Sequence, residues 1–269
     1  MLSGNGYNNL FFNAMLFNEI IYGPIHSRRL GVSLGVNLMP VDHKLCSFNC
    51  VYCECGFNQP VHSPQLPARL QVKEALENRL LHMREQNITP DVITFSGNGE
   101  PTMHPDFLGI ISDTCAVRNE FCPSAQVAVL SNSTQLFRHD VVDALKLVDR
   151  RILKLDSAVD ATMRLIDQPV NPQLTVAAIV DMLRQFHGDF TLQTCFLRGV
   201  HAGQSIDNTA PGELTAWYEV VEQLRPKHIM IYVIDRATPV ETLQKIEPET
   251  MQSIAGHLRA KGFSVTVSA

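Results

Sequence analysis

Short apolar runs alternate with segments of helical periodicity along most of this chain. Five runs have the length and composition of buried strands, and a shorter sixth run is a further candidate: 91–96, 126–131, 151–156, 190–197, 228–234 and 263–267. Apolar residues recur at helical spacing over 106–119, 139–147, 161–166, 172–186, 211–224 and 248–261. Strands that alternate with helices predict parallel pairing through right-handed crossovers.

One strand and one helix precede this series. The run 32–39 is a strand candidate that Gly35 weakens, and 67–84 is a predicted helix. Counting gives six βα units, which is fewer than the eight of a closed barrel. We therefore predict an α/β fold, a partial (β/α)6 TIM-like barrel with an open parallel sheet. Residues 1–21 are expected to form an N-terminal extension and residues 22–269 one barrel domain.

Composition and charge narrow the possible locations and partners. The 269 residues carry a formal net charge of −5, which argues against a large nucleic-acid surface and leaves room for a local basic pocket. An apolar run at 10–22 is interrupted by Asn13, Asn18 and Glu19, and no Lys or Arg precedes Arg28, so it fits a signal peptide poorly. No stretch reaches the roughly 18 apolar residues of a membrane span. We expect a cytoplasmic protein without a membrane partner.

Four of the seven cysteines lie within ten residues, and their spacing indicates a metal site. Cys46, Cys50 and Cys53 form a C-x3-C-x2-C pattern after the first strand, with Tyr52 just before the last cysteine. Three thiolates on one loop can bind three irons of a [4Fe–4S] cubane and leave the fourth iron open. The alternative is zinc with Cys55 as fourth ligand, but zinc usually draws on two separated ligand pairs. The spacing favours the cluster and leaves Cys55 as a spare thiol.

A glycine-rich turn follows the second predicted strand. Its residues are Gly97, Asn98, Gly99, Glu100 and Pro101. Glycine permits positive φ angles and lets the backbone approach a ligand closely. Glu100 adds a carboxylate beside main-chain carbonyls, which suits an ammonium group. The alternative is an ordinary strand-to-helix turn with a solvated Glu.

The cysteine pattern and this turn together resemble the radical SAM superfamily, whose members carry C-x3-C-x2-C after the first strand and a G-G-E-P-like turn after the second. The resemblance implies a partial (β/α)6 barrel. It also implies that S-adenosylmethionine (SAM) chelates the open iron and is cleaved after one-electron reduction, and that the resulting 5′-deoxyadenosyl radical abstracts a hydrogen atom from the substrate. This chain has Asn98 where the second glycine of the pattern is expected.

From Tyr22 onward the chain is similar to a bacterial and archaeal group of iron–sulfur oxidoreductases related to the wyosine-base-forming radical SAM enzymes. The resemblance is carried by the segments 23–37, 96–107, 154–156, 166–169 and 193–199, and by Arg236. The archaeal wyosine enzymes hold a second cluster through upstream cysteines, whereas this chain has no cysteine before Cys46. We expect a single cluster, which weakens wyosine formation as the activity.

Further candidate residues lie at the predicted strand ends, where the resemblance suggests that SAM is held. Ser131 and Asn132 are candidates for the ribose or carboxylate of SAM, or alternatively cap a helix. Lys154 and Asp156 share strand parity, so Lys154 can meet the carboxylate and Asp156 the ribose; a structural buried pair is the alternative. Gln193 is a candidate cofactor or substrate contact. The candidate residues for an anionic substrate are basic: Arg28, Arg29, Arg198, His201 and Arg236.

The leading hypothesis is therefore a radical SAM enzyme that acts on a nucleoside, an RNA base or a small anionic metabolite. An external one-electron reductant such as flavodoxin or ferredoxin is its expected partner. One alternative is an activase that installs a glycyl radical on a partner protein. The other is a non-catalytic iron–sulfur electron carrier or zinc-binding scaffold, in which the glycine-rich turn would have no role. The oligomeric state is not indicated by the sequence.

Overall fold

The computed structural model describes residues 14–27 and 31–268 as an open α/β barrel. Its strands are β1 (Ile21–Ser27), β2 (Gly31–Val36), β3 (Val92–Phe95), β4 (Gln126–Ser131), β5 (Arg150–Lys154), β6 (Thr191–His201), β7 (Gln204–Asp207), β8 (His228–Val233), β9 (Gln244–Lys245) and β10 (Val265–Ser268). Its helices are α1 (Arg69–Glu85), α2 (Phe107–Phe121), α3 (His139–Leu147), α4 (Asp160–Ile166), α5 (Val176–Leu183), α6 (Pro211–Leu224) and α7 (Pro248–Ala260). Short 3-10 turns cover Pro101–Met103 and Arg184–Phe186.

The sheet runs in the order β1-β2-β3-β4-β5-β6-β8-β10, with β7 and β9 paired to the far end of β6. All neighbours from β2 to β10 pair in parallel, and β1 pairs antiparallel with β2 at one edge. Within the described part of the chain no pairing joins β1 to β10, so the barrel stays open. The predicted open parallel sheet is confirmed.

The barrel core is built from strands whose side chains are apolar and buried on both faces of the sheet. All four residues of β3 are buried, and Leu34, Ile93 and Val127 lie side by side in the register of β2, β3 and β4. The helices add to this core, and α1 contributes the buried side chains of Val72 and Leu76. Parallel strands with both faces covered read as continuous hydrophobic runs, and this is the pattern that the sequence shows.

The structure adds elements that the sequence pattern did not predict. β1 contains Gly23 and Pro24, and its pairing with β2 shifts register between Tyr22 and Ile25; such residues are tolerated only on an edge strand. β6 continues past 197 to His201 and returns as β7. Ala202 and Gly203, which join β6 to β7, both have positive φ angles, as a tight hairpin turn requires.

No helix in residues 14–27 and 31–268 combines the length and apolarity that crossing a bilayer requires.

Candidate active site

A cavity of about 350 Å³ opens where the parallel strands end. Its wall is formed by the loop that carries the clustered cysteines, the turn after β3, the ends of β4 and β5, Gln193 of β6, and the end of β8 with the residues that follow it. We call residues 43–58 the cysteine loop and residues 96–101 the glycine turn. Parallel barrels concentrate their chemistry at this edge, and a volume of this order is typical of small-molecule sites.

Cys46, Cys50 and Cys53 all line the cavity, and the cysteine loop is folded tightly around them. The side chain of Asn58 accepts a hydrogen bond from the Cys46 N–H (3.1 Å) and donates one to the Cys46 carbonyl (2.9 Å). The Cys53 N–H donates to the Cys50 carbonyl (3.1 Å). These bonds set the path of the loop before any ligand binds. Sequence reasoning missed Asn58, which lies outside the cysteine pattern.

Lys44 places a buried positive charge beside the three thiols. Its Nζ donates to the Gly56 carbonyl at 2.9 Å. Burial opposes the charge, but the neighbouring cysteines raise the pKa of Lys44 overall. Burial raises the pKa of Cys46 to about 12, whereas hydrogen bonding with Cys55 and the charge of Lys44 lower the pKa of Cys53 to about 5. Sequence reasoning missed Lys44, although it precedes Cys46 by only two positions.

The three thiols border one cavity, where each could bind a different iron of a cubane. Within the described ranges, no three or more His, Cys, Asp or Glu side chains converge as the ligands of one metal ion do. The three cysteine ligands of a cubane bind three different irons, so they spread around the cluster. Cys55 also lines the cavity, and its thiol donates to the Gly97 carbonyl at 3.4 Å.

The glycine turn packs directly against the cysteine loop. Gly97 and Gly99 have φ angles of +123° and +149°. A Cβ atom on Gly99 would lie 1.7 Å from the Leu45 carbonyl oxygen, so only glycine allows this approach. The Leu45 N–H donates to the Asn98 carbonyl (2.9 Å), and the Glu100 N–H donates to the Leu45 carbonyl (3.2 Å). The two motifs therefore form one unit.

Glu100 lies against the cavity but is buried, and hydrogen bonds engage its carboxylate. Oε1 accepts the Thr102 N–H (3.1 Å) as Pro101 starts a 3-10 turn, and Oε2 accepts the Asn132 N–H (2.7 Å). Burial raises the pKa of Glu100, and these bonds, with another from Ser131, counteract the rise. Glu100 thus ties the glycine turn to the loop after β4, and it is not the solvated Glu of an ordinary turn.

Asn132 does not cap a helix, because α3 begins only at His139. Its Oδ1 accepts the Thr134 N–H at 3.1 Å, which is a local turn bond in the loop after β4. Its Nδ2 donates to Ser47 Oγ (2.9 Å) and lies 3.5 Å from Cys46 Sγ. Asn132 and Ser131 both line the cavity.

Lys154 joins a buried network beneath the cysteine loop. Its Nζ donates to the hydroxyls of Tyr52 and Tyr232 and lies 3.6 Å from Asp156 Oδ2. The Tyr52 hydroxyl donates to the same Asp156 oxygen, and Asp156 Oδ1 accepts the Cys195 N–H (2.8 Å). Burial opposes the charge on Lys154, but Asp156 keeps its pKa well above the usual value.

The members of this network differ in their access to the cavity. Lys154, Tyr52 and Tyr232 line it, as does the predicted contact Gln193. Asp156 is absent from its described lining and lies behind Lys154 and Tyr52. The sequence placed Lys154 and Asp156 on one face, and the structure brings them together without exposing both.

The candidate substrate residues are dispersed. Arg28 and Arg29 lie outside the described residues. Arg198 forms an ion pair with Glu247, and His201 lies 2.9 Å from the Gln168 amide; neither residue lines the described cavity. Arg236 does line it and forms an ion pair with Glu54 of the cysteine loop.

Phe17 and Tyr22 also line the cavity, and sequence reasoning missed both. Phe17 belongs to the predicted N-terminal extension, so part of that extension lies at the site. The apolar run 10–22 gave no signal that distinguishes these two rings from ordinary core residues.

Comparisons with known proteins agree with this geometry. The family model described as the Radical SAM superfamily matches residues 43–207. A UPF0026 protein of Helicobacter pylori strain 26695 is 27% identical over 236 residues, which cover 87% of this chain and 72% of that protein. A protein of Brachyspira hyodysenteriae named GTPase Obg is 28% identical over 244 residues, covering 89% of this chain. The match spans about a third (33%) of the Brachyspira protein.

Two solved structures show the same fold at low sequence identity. A radical SAM methyltransferase from Sphaerobacter thermophilus has a TM-score of 0.63 at 15% identity, covering 87% of this chain and 65% of the other. TYW1 with a lysine–pyruvate adduct bound has a TM-score of 0.61 at 14% identity, covering 85% of this chain and 73% of the other.

Proposed function

The chain belongs to the radical SAM superfamily, and we propose that Cys46, Cys50 and Cys53 hold its [4Fe–4S] cluster beside a SAM site in the cavity. Members of this superfamily are enzymes that use both cofactors. When bound, the cluster and SAM supply hydrogen-atom abstraction by a carbon radical. The proposed substrate is a nucleoside, an RNA base or a small anionic metabolite, and the proposed electron donor is a flavodoxin or ferredoxin.

The observation that carries the proposal is the joint packing of the cysteine loop and the glycine turn. Hydrogen bonds through Leu45 connect them, and both line one cavity. An electron carrier needs the thiols but has no use for a second binding surface beside them. This junction therefore favours an enzyme over a carrier.

We assign roles to the remaining cavity residues from their contacts. The glycine turn, Ser131 and Asn132 would bind the polar groups of SAM. Lys154 would bind a carboxylate, because Asp156 keeps its amine protonated. Asp156 then acts by positioning Lys154 and Tyr52, and we do not retain the direct ribose contact for it. Arg236 is the candidate for an anionic group of the substrate.

We do not propose for this chain the activities that the names of two similar proteins suggest. TYW1 was solved with a lysine–pyruvate adduct, and we propose no such adduct for this chain. Two lysines line the cavity, Lys44 and Lys154, and despite their burial neighbouring groups raise the pKa of both, which disfavours the uncharged amine that attack on a carbonyl needs. The 269 residues contain no G-x-x-x-x-G-K-[ST] motif, so we propose no GTP hydrolysis for this chain.

Anaerobic reconstitution tests the proposal. The chain is expected to bind roughly four irons, as one cubane requires, and to release 5′-deoxyadenosine when dithionite and SAM are added. Iron bound with SAM left intact would support the electron-carrier alternative. Zinc bound in place of iron, with SAM intact, would contradict the proposal.

A further inference from the structure

Two residues that weakened the sequence patterns meet the same pair of aromatic rings. Gly35 interrupts a predicted strand, and Asn98 replaces a glycine in the glycine turn. In the structure Gly35 lies under the ring of Tyr22, and Asn98 holds the main chain of Phe17. The rings of Tyr22 and Phe17 stack with centroids 3.6 Å apart and an interplanar angle of 17°.

Gly35 makes room for the first ring. A Cβ atom at this position would lie 2.1 Å from Tyr22 Cζ, so any larger residue would displace the ring. The Tyr22 hydroxyl is fixed by a 2.6 Å hydrogen bond to Ser96 Oγ, at the start of the glycine turn. Tyr22 is therefore held flat against β2.

Asn98 positions the second ring. Its Oδ1 accepts the Phe17 N–H and its Nδ2 donates to the Phe17 carbonyl, both at 2.8 Å. Nδ2 also donates to the Pro40 carbonyl (2.8 Å), and the Asn98 side chain is fully buried. A glycine here would supply none of these bonds. Of residues 14–20, only Phe17 lines the cavity.

We propose that Phe17, backed by Tyr22 and positioned by Asn98, is a stacking wall for a planar heteroaromatic ring in the cavity. The ring is either the adenine of SAM or the ring of the substrate, and this choice rests on the proposed function. Aromatic rings bind such rings by offset stacking. Because Tyr22 covers one face of the Phe17 ring and Phe17 lines the cavity, the ligand would stack on the opposite face of that ring.

Direct binding to the cluster-loaded enzyme tests the wall. Equilibrium dialysis measures the affinity for SAM, adenosine, guanosine and ribose, the last as a ligand without a ring system. Phe17→Leu keeps an apolar side chain and removes the ring, and Phe17→Tyr restores it. Phe137→Leu is the matched control, because Phe137 is 66% exposed and lies outside the described cavity lining. Phe17→Met is a second ring-less variant if Phe17→Leu folds poorly, as judged by iron content and melting temperature.

We expect Phe17→Leu to bind a ring ligand roughly tenfold more weakly, within the range measured for base–aromatic stacking. Phe17→Tyr and Phe137→Leu should bind as the wild type does. Asn98→Gly should weaken ring binding as Phe17→Leu does, without loss of iron. Ribose binding should not change in any variant.

The two ligand arms separate the sources of the ring. A loss of SAM affinity in Phe17→Leu identifies the cofactor adenine, and a loss of nucleoside affinity at unchanged SAM affinity identifies a substrate ring. Unchanged affinity for SAM, combined with unchanged or absent nucleoside binding, would overturn the stacking wall. Failure of SAM cleavage would contradict only the proposed function, because the binding arms do not depend on turnover.

Discussion

The polar residues of the cofactor side and the candidate substrate residues differ in burial. On the cofactor side Lys44, Asn98 and Glu100 are each at most 2% exposed, and their polar groups have protein partners. Arg236, which lines the cavity, and Arg198, which lies outside its described lining, form ion pairs in which the side chains are 34–56% exposed, and we call these two arginines the rim. A buried polar group that loses its partner is costly, whereas an exposed pair contributes little. Folding thus specifies the cofactor side closely and leaves the rim free to vary with the substrate.

Removing a cluster ligand should produce the largest effect on the cofactor side. We expect Cys50→Ala to lose the cluster and all 5′-deoxyadenosine formation, because two thiolates leave a second iron without its protein ligand. Cys55→Ala and the distant Cys122→Ala should retain both. Iron content and product formation measure the outcome. Cleavage retained in Cys50→Ala, or lost in Cys55→Ala, would overturn the ligand assignment.

Lys154→Met should be the most destabilising change that removes no cluster ligand. It leaves Asp156 buried without its cation, and breaking a buried pair costs about 3–5 kcal/mol. Lys227→Met is the matched control on the surface, where the pair with Asp189 is exposed and worth less than about 1 kcal/mol. Urea unfolding of the cluster-free chain measures both. Equal costs for the two variants would abolish the contrast between the buried network and the surface.

Glu100→Gln should have an intermediate effect. The amide places an NH2 group against an N–H donor of Thr102 or Asn132, and an unsatisfied buried group costs about 1–3 kcal/mol. Glu54→Gln changes the same residue type on the exposed pair with Arg236 and should cost less than about 1 kcal/mol. The free energy of unfolding compares them directly. A neutral Glu100→Gln would show that the two loops do not depend on this carboxylate.

The sequence predicted the parts of the site that depend on local spacing. The three cysteines lie within eight residues, and the glycine turn directly follows a strand, so chain order alone places both at one edge of the barrel. Phe17 and Asn98 are 81 positions apart, and only the folded chain brings them together. Strand parity paired Lys154 with Asp156 but could not show which of them reaches the cavity. β1 was missed because Gly23 and Pro24 mask an edge strand.

His104 is a further buried polar residue and lies three positions after the glycine turn. Its Nδ1 accepts the Asp106 N–H (3.1 Å), and its Nε2 is 3.0 Å from the Pro67 carbonyl, so the neutral ring fits both partners. Burial lowers the pKa of His104. Below its ordinary value of about 6.5, the unfolded chain takes up a proton that the folded chain still excludes, so stability falls as the pH drops.

We expect the free energy of unfolding to decrease between pH 7 and pH 5, with a shallower slope in His104→Gln. Urea titrations across this range measure both slopes. If the wild type and His104→Gln show the same slope, His104 does not contribute to the loss of stability at low pH.

Arg198→Gln, which changes a partly exposed ion pair, should have the smallest effect on stability of all these substitutions. The pair with Glu247 is partly exposed, so solvent screens it. The Nε atom of Arg198 is buried and has no hydrogen-bond partner among the residues that the structure describes, so the substitution also removes an unfavourable group. These opposing contributions should leave the free energy of unfolding within about 1 kcal/mol of the wild type. Salt titration of the unfolding midpoint checks the assignment, because a screened pair should lose its small contribution at high ionic strength. A loss above about 2 kcal/mol that persists in high salt would mean that the rim, too, is specified by folding.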